Sequence, residues 1–190
     1  MWASLDTPPK RFQSFRPRSL GNHNEFLRRP QVKTFTIFIL LTVLTIPAWA
    51  GPWPDTPPQI GRLELKQEYW EDIKEAARRY QISPYLIQAV CAIESRYNPR
   101  ARSGRCYGLM QLHRDTAKKY GVDAHDPREN IMGGAAVLAH LMDKYHNNIH
   151  RVLHVYNASC TAAYEREVLR AYRQARQFDL SALTSGKYLD

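Results

Sequence analysis

The chain has 190 residues, with 27 Lys/Arg against 18 Asp/Glu and a formal net charge of +9. Seven of those basic residues and two of the acidic ones fall in residues 1–50; without that segment the excess drops to +4, weak ground for a nucleic-acid binder and better suited to an anionic polymer such as a cell wall or a membrane surface. The 140 residues that follow are enough for one domain with a real core.

Residues 1–33 are polar, rich in Arg, Pro and Ser, and carry no periodicity, so no fold is expected of them. Thr34 to Ala50 reads TFTIFILLTVLTIPAWA. Its apolar run is short for a membrane span and right for the apolar region of a signal peptide. Arg28, Arg29 and Lys33 precede it, Pro47 breaks it, and Ala48-Trp49-Ala50 fits the small-x-small cleavage pattern. Export with cleavage after Ala50 is expected, the alternative being an uncleaved signal anchor. An exported chain meets an oxidising compartment, so of Cys91, Cys106 and Cys160 two are expected to form a disulfide. The sequence does not say which two, and their spacings match no zinc pattern.

Residues 51–64 open with GPWPDTPPQIG, whose four prolines predict an extended linker. A domain is expected over 65–177, with 178–190 as a C-terminal tail. Helical spacing predicts a first helix over 65–80, with Tyr69, Ile73, Ala76 and Tyr80 on one face. Ser83-Pro84 supplies an N-cap and a first-turn proline for a second helix to about Arg96, with Leu86, Val90, Ile93 and Tyr97 as its core stripe. A basic loop over 98–106 leads to a short apolar stretch, Tyr107 to Leu112, which reads as extended. Asp115 is placed to cap a brief helix over 116–120, stopped by Gly121. Asp126-Pro127-Arg128-Glu129 has the form of a capping box and opens a helix to about Tyr145. Two more helices are expected over 149–156 and 163–176. The class is mostly α, with at most a small β element near 107–112.

Glu94 stands alone in the apolar second helix, sharing a face with Ile87 and Cys91 and close to the helix C-terminus. Apolar surroundings and the negative end of the helix dipole both disfavour its charged form. A carboxylic acid that stays protonated near neutral pH is what protonation of a glycosidic oxygen requires; a glutamate on the rim of an amphipathic helix is the plainer alternative. No second carboxylate stands out as its partner. Asp126 and Glu129 belong to the capping box, Asp115 to a cap, Asp123 to a turn, and Glu165 and Glu167 to a charged helix face. A single-acid enzyme would need its substrate to supply the second group.

The motifs IxxxxAxES at Ile87–Ser95, GLMQL at Gly108–Leu112, TA at Thr116-Ala117, ENIxGG at Glu129–Gly134 and YNA at Tyr156–Ala158 occur in the order seen in lytic transglycosylases. The chain resembles their Slt-type catalytic domain over roughly residues 68–175. The resemblance implies a lysozyme-like fold closest to goose-type lysozyme. It implies cleavage of the β-1,4 bond between N-acetylmuramic acid and N-acetylglucosamine in peptidoglycan, with formation of a 1,6-anhydro ring. Glu94 would be the general acid and then the base. Ser95 would orient substrate or carboxylate, Gly108, Leu109, Met110 and Gln111 would line the cleft, Tyr156 would hydrogen-bond near Glu94, and Asn157 would support the site. No metal or cofactor is implied. The implied partner is the glycan strand, with a secretion, conjugation or pilus apparatus by analogy. A monomer in the bacterial periplasm or envelope, without nucleic acid and without a stable membrane span after processing, completes the expectation.

The sequence departs from the family pattern at Ser159, where the family has glycine after YNA, and at His113-Arg114, where it has Met-Pro. Cys106 and Cys160 sit beside two of the cleft motifs and are the expected disulfide, pairs with Cys91 being the alternatives. His146, His150 and His154 recur every fourth residue, but Asn147-Asn148 interrupts any helix through them and no metal is expected there. Gly133-Gly134 lacks the strand and lysine of a phosphate loop and is expected to serve close helix packing. Tyr69, Trp70 and Tyr80 are expected in the core. Arg100, Arg102 and Arg105 either contact anionic peptide stems or a partner, or form a solvated loop. A hydrolytic muramidase of the same fold and a non-catalytic peptidoglycan-binding subunit are the rival functions.

Overall fold

The computed structural model describes residues 53–157 and 161–184, with side chains to residue 177. The expected leader and its cleavage site, Ala158, Ser159, Cys160 and the last six residues lie outside the described residues.

Helix α1, Gln67–Tyr80, buries Tyr69, Trp70, Ile73, Ala76 and Tyr80 at helical spacing, as its pattern predicts. It ends where Gln81 turns left-handed at φ 57° and closes back onto Ala77 O. Helix α2, Pro84–Ser95, is buried on every side from Pro84 to Ala92. That explains its near-continuous apolar sequence, since a helix enclosed by others needs no polar face. Ile93 stays partly exposed, and the buried set takes in Ile87, Ala89 and Cys91 beyond the expected stripe. The helix stops because Arg96 and Tyr97 both adopt positive φ, 53° and 62°, and donate to Ala92 O and Cys91 O.

The proline-rich segment, expected to be an extended linker, forms no helix and lies against the domain rather than standing free. Pro54, Pro58 and Ile60 are buried. The Trp70 indole donates to Pro54 O at 2.8 Å, the Gln88 amide donates to Pro58 O, and Arg78 covers the Trp53 ring at 5.5 Å.

The stretch read as one extended segment over 107–112 is instead two short strands and the turn between them. Strands β1 (Arg102–Ser103), β2 (Cys106–Tyr107) and β3 (Leu112–His113) form an antiparallel sheet, with Arg102 opposite Tyr107, and Cys106 opposite His113. Positive φ at Gly108 (77°) and Gln111 (47°) reverses the chain, and Gln111 N donates to Gly108 O. Helix α3, Arg114–Tyr120, is capped by the His113 ring rather than by Asp115: His113 Nδ1 accepts from Asp115 N at 3.2 Å.

Helix α4, Pro127–Lys144, is the second enclosed helix, buried from Asn130 to Leu141. Asp126 caps it by accepting from Glu129 N at 2.7 Å, but the Glu129 carboxylate accepts from Asp123 N instead of closing the box on Asp126. Arg128 ties α4 to α1 through Asp72 and Glu75, at 3.3 and 2.8 Å. Helix α5, Ile149–Tyr156, is capped by Asn148. Helix α6, Ala162–Thr184, runs past Arg176 and lays Val168, Ala171 and Ala175 on the core, packing chiefly on α2. The class is mostly α with one small β element, and no helix among the described residues is long and apolar enough to cross a membrane.

The glycine pair of α4 serves close approach, but to the turn rather than to another helix. A Cβ at Gly133 would meet Val122 and Leu112, and one at Gly134 would sit 2.4 Å from Met110 Sδ and 2.8 Å from Met110 Cβ. Gly134→Ala is expected to destabilise the protein by about 2 kcal/mol, since overpacking outweighs the roughly 1 kcal/mol that alanine gains in a helix interior. Urea denaturation reads this directly; an unchanged or raised midpoint would mean that Met110 does not need the slot.

Candidate active site

Three segments converge on the last turn of α2. Glu94 is half-buried there, and Tyr164 from the first turn of α6 donates its hydroxyl to Glu94 Oε1 at 2.7 Å. The Asn157 side chain, just past α5, also hydrogen-bonds the carboxylate. Burial pushes the Glu94 carboxyl up from 4.5 to about 7, and the Tyr164 and Asn157 hydrogen bonds pull the other way without cancelling it. No second carboxylate among the described residues contributes to the shift. Of the other candidates, Glu167 is exposed on α6 and the rest are occupied elsewhere. Asp115 pairs with Arg105, Asp123 accepts from His125 N, Asp126 and Glu129 serve the α4 terminus, and Glu165 contacts His150.

The 108–111 turn lies beside this carboxyl and is tied down from three sides. Ser95 Oγ lies 2.7 Å from Leu109 O and 3.0 Å from Cys91 O, so its hydroxyl links the turn to α2. Tyr156, fully buried on α5, donates to Met110 O at 3.0 Å. From α4, the buried Asn130 amide accepts from Met110 N and donates to Tyr107 O and Ala124 O, each at 2.8 Å. Gly108 is the residue this amide demands, for a Cβ there would sit 2.4 Å from Asn130 Nδ2. Gln111 closes the turn by donating to Gly108 O at 3.0 Å.

The site thus brings together Glu94, Ser95, Gly108, Leu109, Met110, Gln111, Tyr156 and Asn157, with some roles exchanged. Leu109 and Met110 were expected to line the cleft, but both are fully buried, Met110 in the slot that Gly134 leaves. Tyr156 braces the turn, while the hydroxyl on Glu94 belongs to Tyr164, which the motifs had not singled out. Its trace in the sequence is modest: Tyr164 stands one helical turn before the buried Val168. Asn130 was inside a quoted motif but had no role assigned. Tyr69, Trp70 and Tyr80 are buried, as expected.

Cys91 and Cys106 are free thiols, the first fully buried. Cys160, the expected partner of Cys106, lies outside the described residues. His146 takes positive φ after α4, and no group of three or more His, Cys, Asp or Glu among the described residues could hold a metal ion.

The Tyr164 hydroxyl favours the ionised form of Glu94, so Tyr164→Phe is expected to raise the Glu94 pKa further. Any activity that needs protonated Glu94 should then keep its alkaline limb to higher pH than the wild type. Carboxyl NMR titration of Glu94 in both proteins reads the shift directly; a lowered value in the variant would contradict the geometry.

The family model described as Transglycosylase SLT domain matches residues 71–178. A protein named Transglycosylase from Enterobacteria phage PRD1 is 46% identical over 80 residues, 41% of this chain and 30% of its own length. Membrane-bound lytic murein transglycosylase C of Actinobacillus pleuropneumoniae serotype 5b is 33% identical over 99 residues, 45% of this chain and 27% of its own. Membrane-bound lytic murein transglycosylase F of Pseudoalteromonas translucida is 37% identical over 92 residues, 43% of this chain and 20% of its own. The matches therefore span less than a third of these relatives. A solved structure of an inactive mutant of lytic transglycosylase Slt from Pseudomonas aeruginosa shares 25% identity at a TM-score of 0.43, over 63% of this chain and 24% of that one.

Proposed function

The chain belongs to the Transglycosylase SLT domain family, and from this premise we propose that it is a peptidoglycan lytic transglycosylase acting in the bacterial envelope. The observation that carries the reading is the single Glu94 carboxyl, raised to about 7, held by Tyr164 and Asn157 and unaccompanied by a second carboxylate among the described residues.

In this account protonated Glu94 gives its proton to the oxygen between N-acetylmuramic acid and N-acetylglucosamine as the bond to the anomeric carbon breaks. The carboxylate left behind then takes the proton of the muramic 6-hydroxyl as that oxygen bonds to the same carbon. One C–O bond is lost, one is formed within the sugar, and Glu94 returns to its acid form without water entering. A pKa near 7 suits both halves, since the group must give and regain a proton at one pH. The Tyr164 and Asn157 donors steady the transient carboxylate. Gly108 and its turn, pinned by Asn130, Ser95 and Tyr156, hold the neighbouring wall, so the reacting sugar meets a rigid surface.

Mass spectrometry of purified peptidoglycan digested with the protein tests this. Products one water lighter than reducing-end muropeptides are expected. Reducing-end products would make the protein a hydrolytic muramidase, and a folded protein that binds the polymer without cutting it would be a non-catalytic subunit.

A further inference from the structure

The Glu94 carboxyl takes its two hydrogen bonds from the ends of two helices, and those helices are anchored unequally. Asn157 directly follows α5, and Tyr164 stands in the first turn of α6. Helix α5 is firmly seated. Val152, Leu153 and Tyr156 are buried, Asn148 Oδ1 accepts from Arg151 N at 3.1 Å, and Tyr156 is bonded to Met110 O. The start of α6 has less to hold it. Its first buried residue is Val168, a full turn after Tyr164, while Ala162 and Ala163 are exposed and Tyr164 and Glu165 are half-buried. The capping hydrogen bond from Tyr164 N to Thr161 Oγ1 is long, at 3.4 Å. The first turn of a helix leaves its N–H groups without partners inside the helix and opens first where nothing ties it down.

A tie is present at the residue after Tyr164. Glu165 Oε1 accepts from His150 Nδ1 of α5 at 2.5 Å. His150 is exposed, but only 27% of the Glu165 side chain is open to solvent, so the pair is less screened than a bridge between two fully exposed groups. The bridge also gives a place to one member of the repeat His146, His150 and His154. His146 takes positive φ after α4 and His154 is exposed on α5, while His150 reaches across to the next helix.

Consecutive residues of a helix lie about 100° apart around its axis. Tyr164 is held against the end of α2 through Glu94, and Glu165 against α5 through His150. Two bonds in different directions fix both the place and the rotation of this turn, where either alone would leave it free to swing. The bridge therefore joins the two helices that supply the two donors to Glu94, on the side away from the carboxyl itself.

We propose that His150 and Glu165 are positioning residues for the reaction: their bridge fixes the first turn of α6 and so keeps the Tyr164 hydroxyl on Glu94. The proposal rests on the reading of Glu94 as the reacting group. Neither residue touches the substrate in this account; both act through Tyr164. Glu165 also carries a charge, whose field would act in the opposite sense. Loss of a nearby negative charge favours the ionised form of Glu94, whereas loss of the Tyr164 hydroxyl disfavours it. The sign of the Glu94 response to a change at Glu165 therefore separates positioning from a field effect.

Carboxyl NMR titration of Glu94 in the wild type, Glu165→Ala, His150→Ala and Tyr164→Phe tests this without turnover. Both bridge variants are expected to raise the Glu94 pKa, by less than Tyr164→Phe does. Combined with Tyr164→Phe, neither should raise it further, because the bridge then has no hydroxyl left to hold. On peptidoglycan each bridge variant is expected to lower kcat about threefold with KM unchanged, the scale of a partly exposed ion pair. A Glu94 pKa that is unchanged or lowered in Glu165→Ala, or increments that add in full to that of Tyr164→Phe, would overturn the positioning role. A wild type that releases no anhydro products while the titrations behave as expected would instead sink the reaction assignment and leave the bridge standing.

Discussion

Glu94→Gln is expected to lower turnover of peptidoglycan by roughly 10³-fold or more, the upper range for loss of a positioned general acid and base. Glutamine keeps the size of the side chain and can still accept from Tyr164, so the fold should persist while the transferable proton is gone. The same substitution should stabilise the protein in alkali. The Glu94 carboxyl titrates at about 7 in the folded chain against an ordinary 4.5. The folded state therefore binds more protons than the unfolded one between those values, and stability falls as pH rises through that window. Above it the wild type bears the full cost of a half-buried carboxylate. At pH 8 Glu94→Gln should be more stable by about 2 kcal/mol, a figure reduced from the full shift because the group is partly open to solvent. Below pH 4.5 this titration difference should vanish. Thermal denaturation of both proteins at pH 4 and pH 8 reads the two arms; a wild type as stable as the variant at pH 8 would show that Glu94 is not desolvated.

Asn130→Asp is expected to cost about 4 kcal/mol and to abolish activity with it. The change keeps the shape of the side chain and the acceptor for Met110 N. It removes the donor to Tyr107 O and Ala124 O and sets a carboxylate against both carbonyls in a fully buried position. Asn130→Ala should fall between the two, leaving three backbone groups unsatisfied without adding charge. Urea denaturation with far-UV circular dichroism checks the order, wild type above Ala above Asp. If Asp were tolerated as well as Asn, the amide would not be what pins the turn.

The helices were legible in the sequence because their cues are local. The α1 stripe, Pro84 at the first position of α2 and the Asp126 cap each act within a turn or two of the chain, although Ser83 makes no capping hydrogen bond with its side chain. Glu94 was legible because a lone carboxyl in an apolar helix is chemically conspicuous. The residues around it were less so. The reversal at 108–111 depends on positive φ at Gln111 as well as Gly108, and glutamine carries no turn signal. Asn130 makes all three of its bonds to backbone groups, and backbone groups leave no mark in a sequence. Tyr164 reaches Glu94 across 70 positions, so nothing near either residue announces the pair. The proline-rich segment read as a linker because its composition fits one, while its attachment rests on Trp70 and Gln88, more than a dozen residues away.

The most direct test of the central claim, that one protein carboxyl works with an oxygen supplied by the substrate, is a digest in water enriched in heavy oxygen. If the muramic 6-hydroxyl closes the ring, the newly released muropeptides carry no label, because no solvent oxygen reaches the anomeric carbon. Label at that carbon in the initial products would show that water is the nucleophile, and the single-carboxyl account would have to give way to hydrolysis.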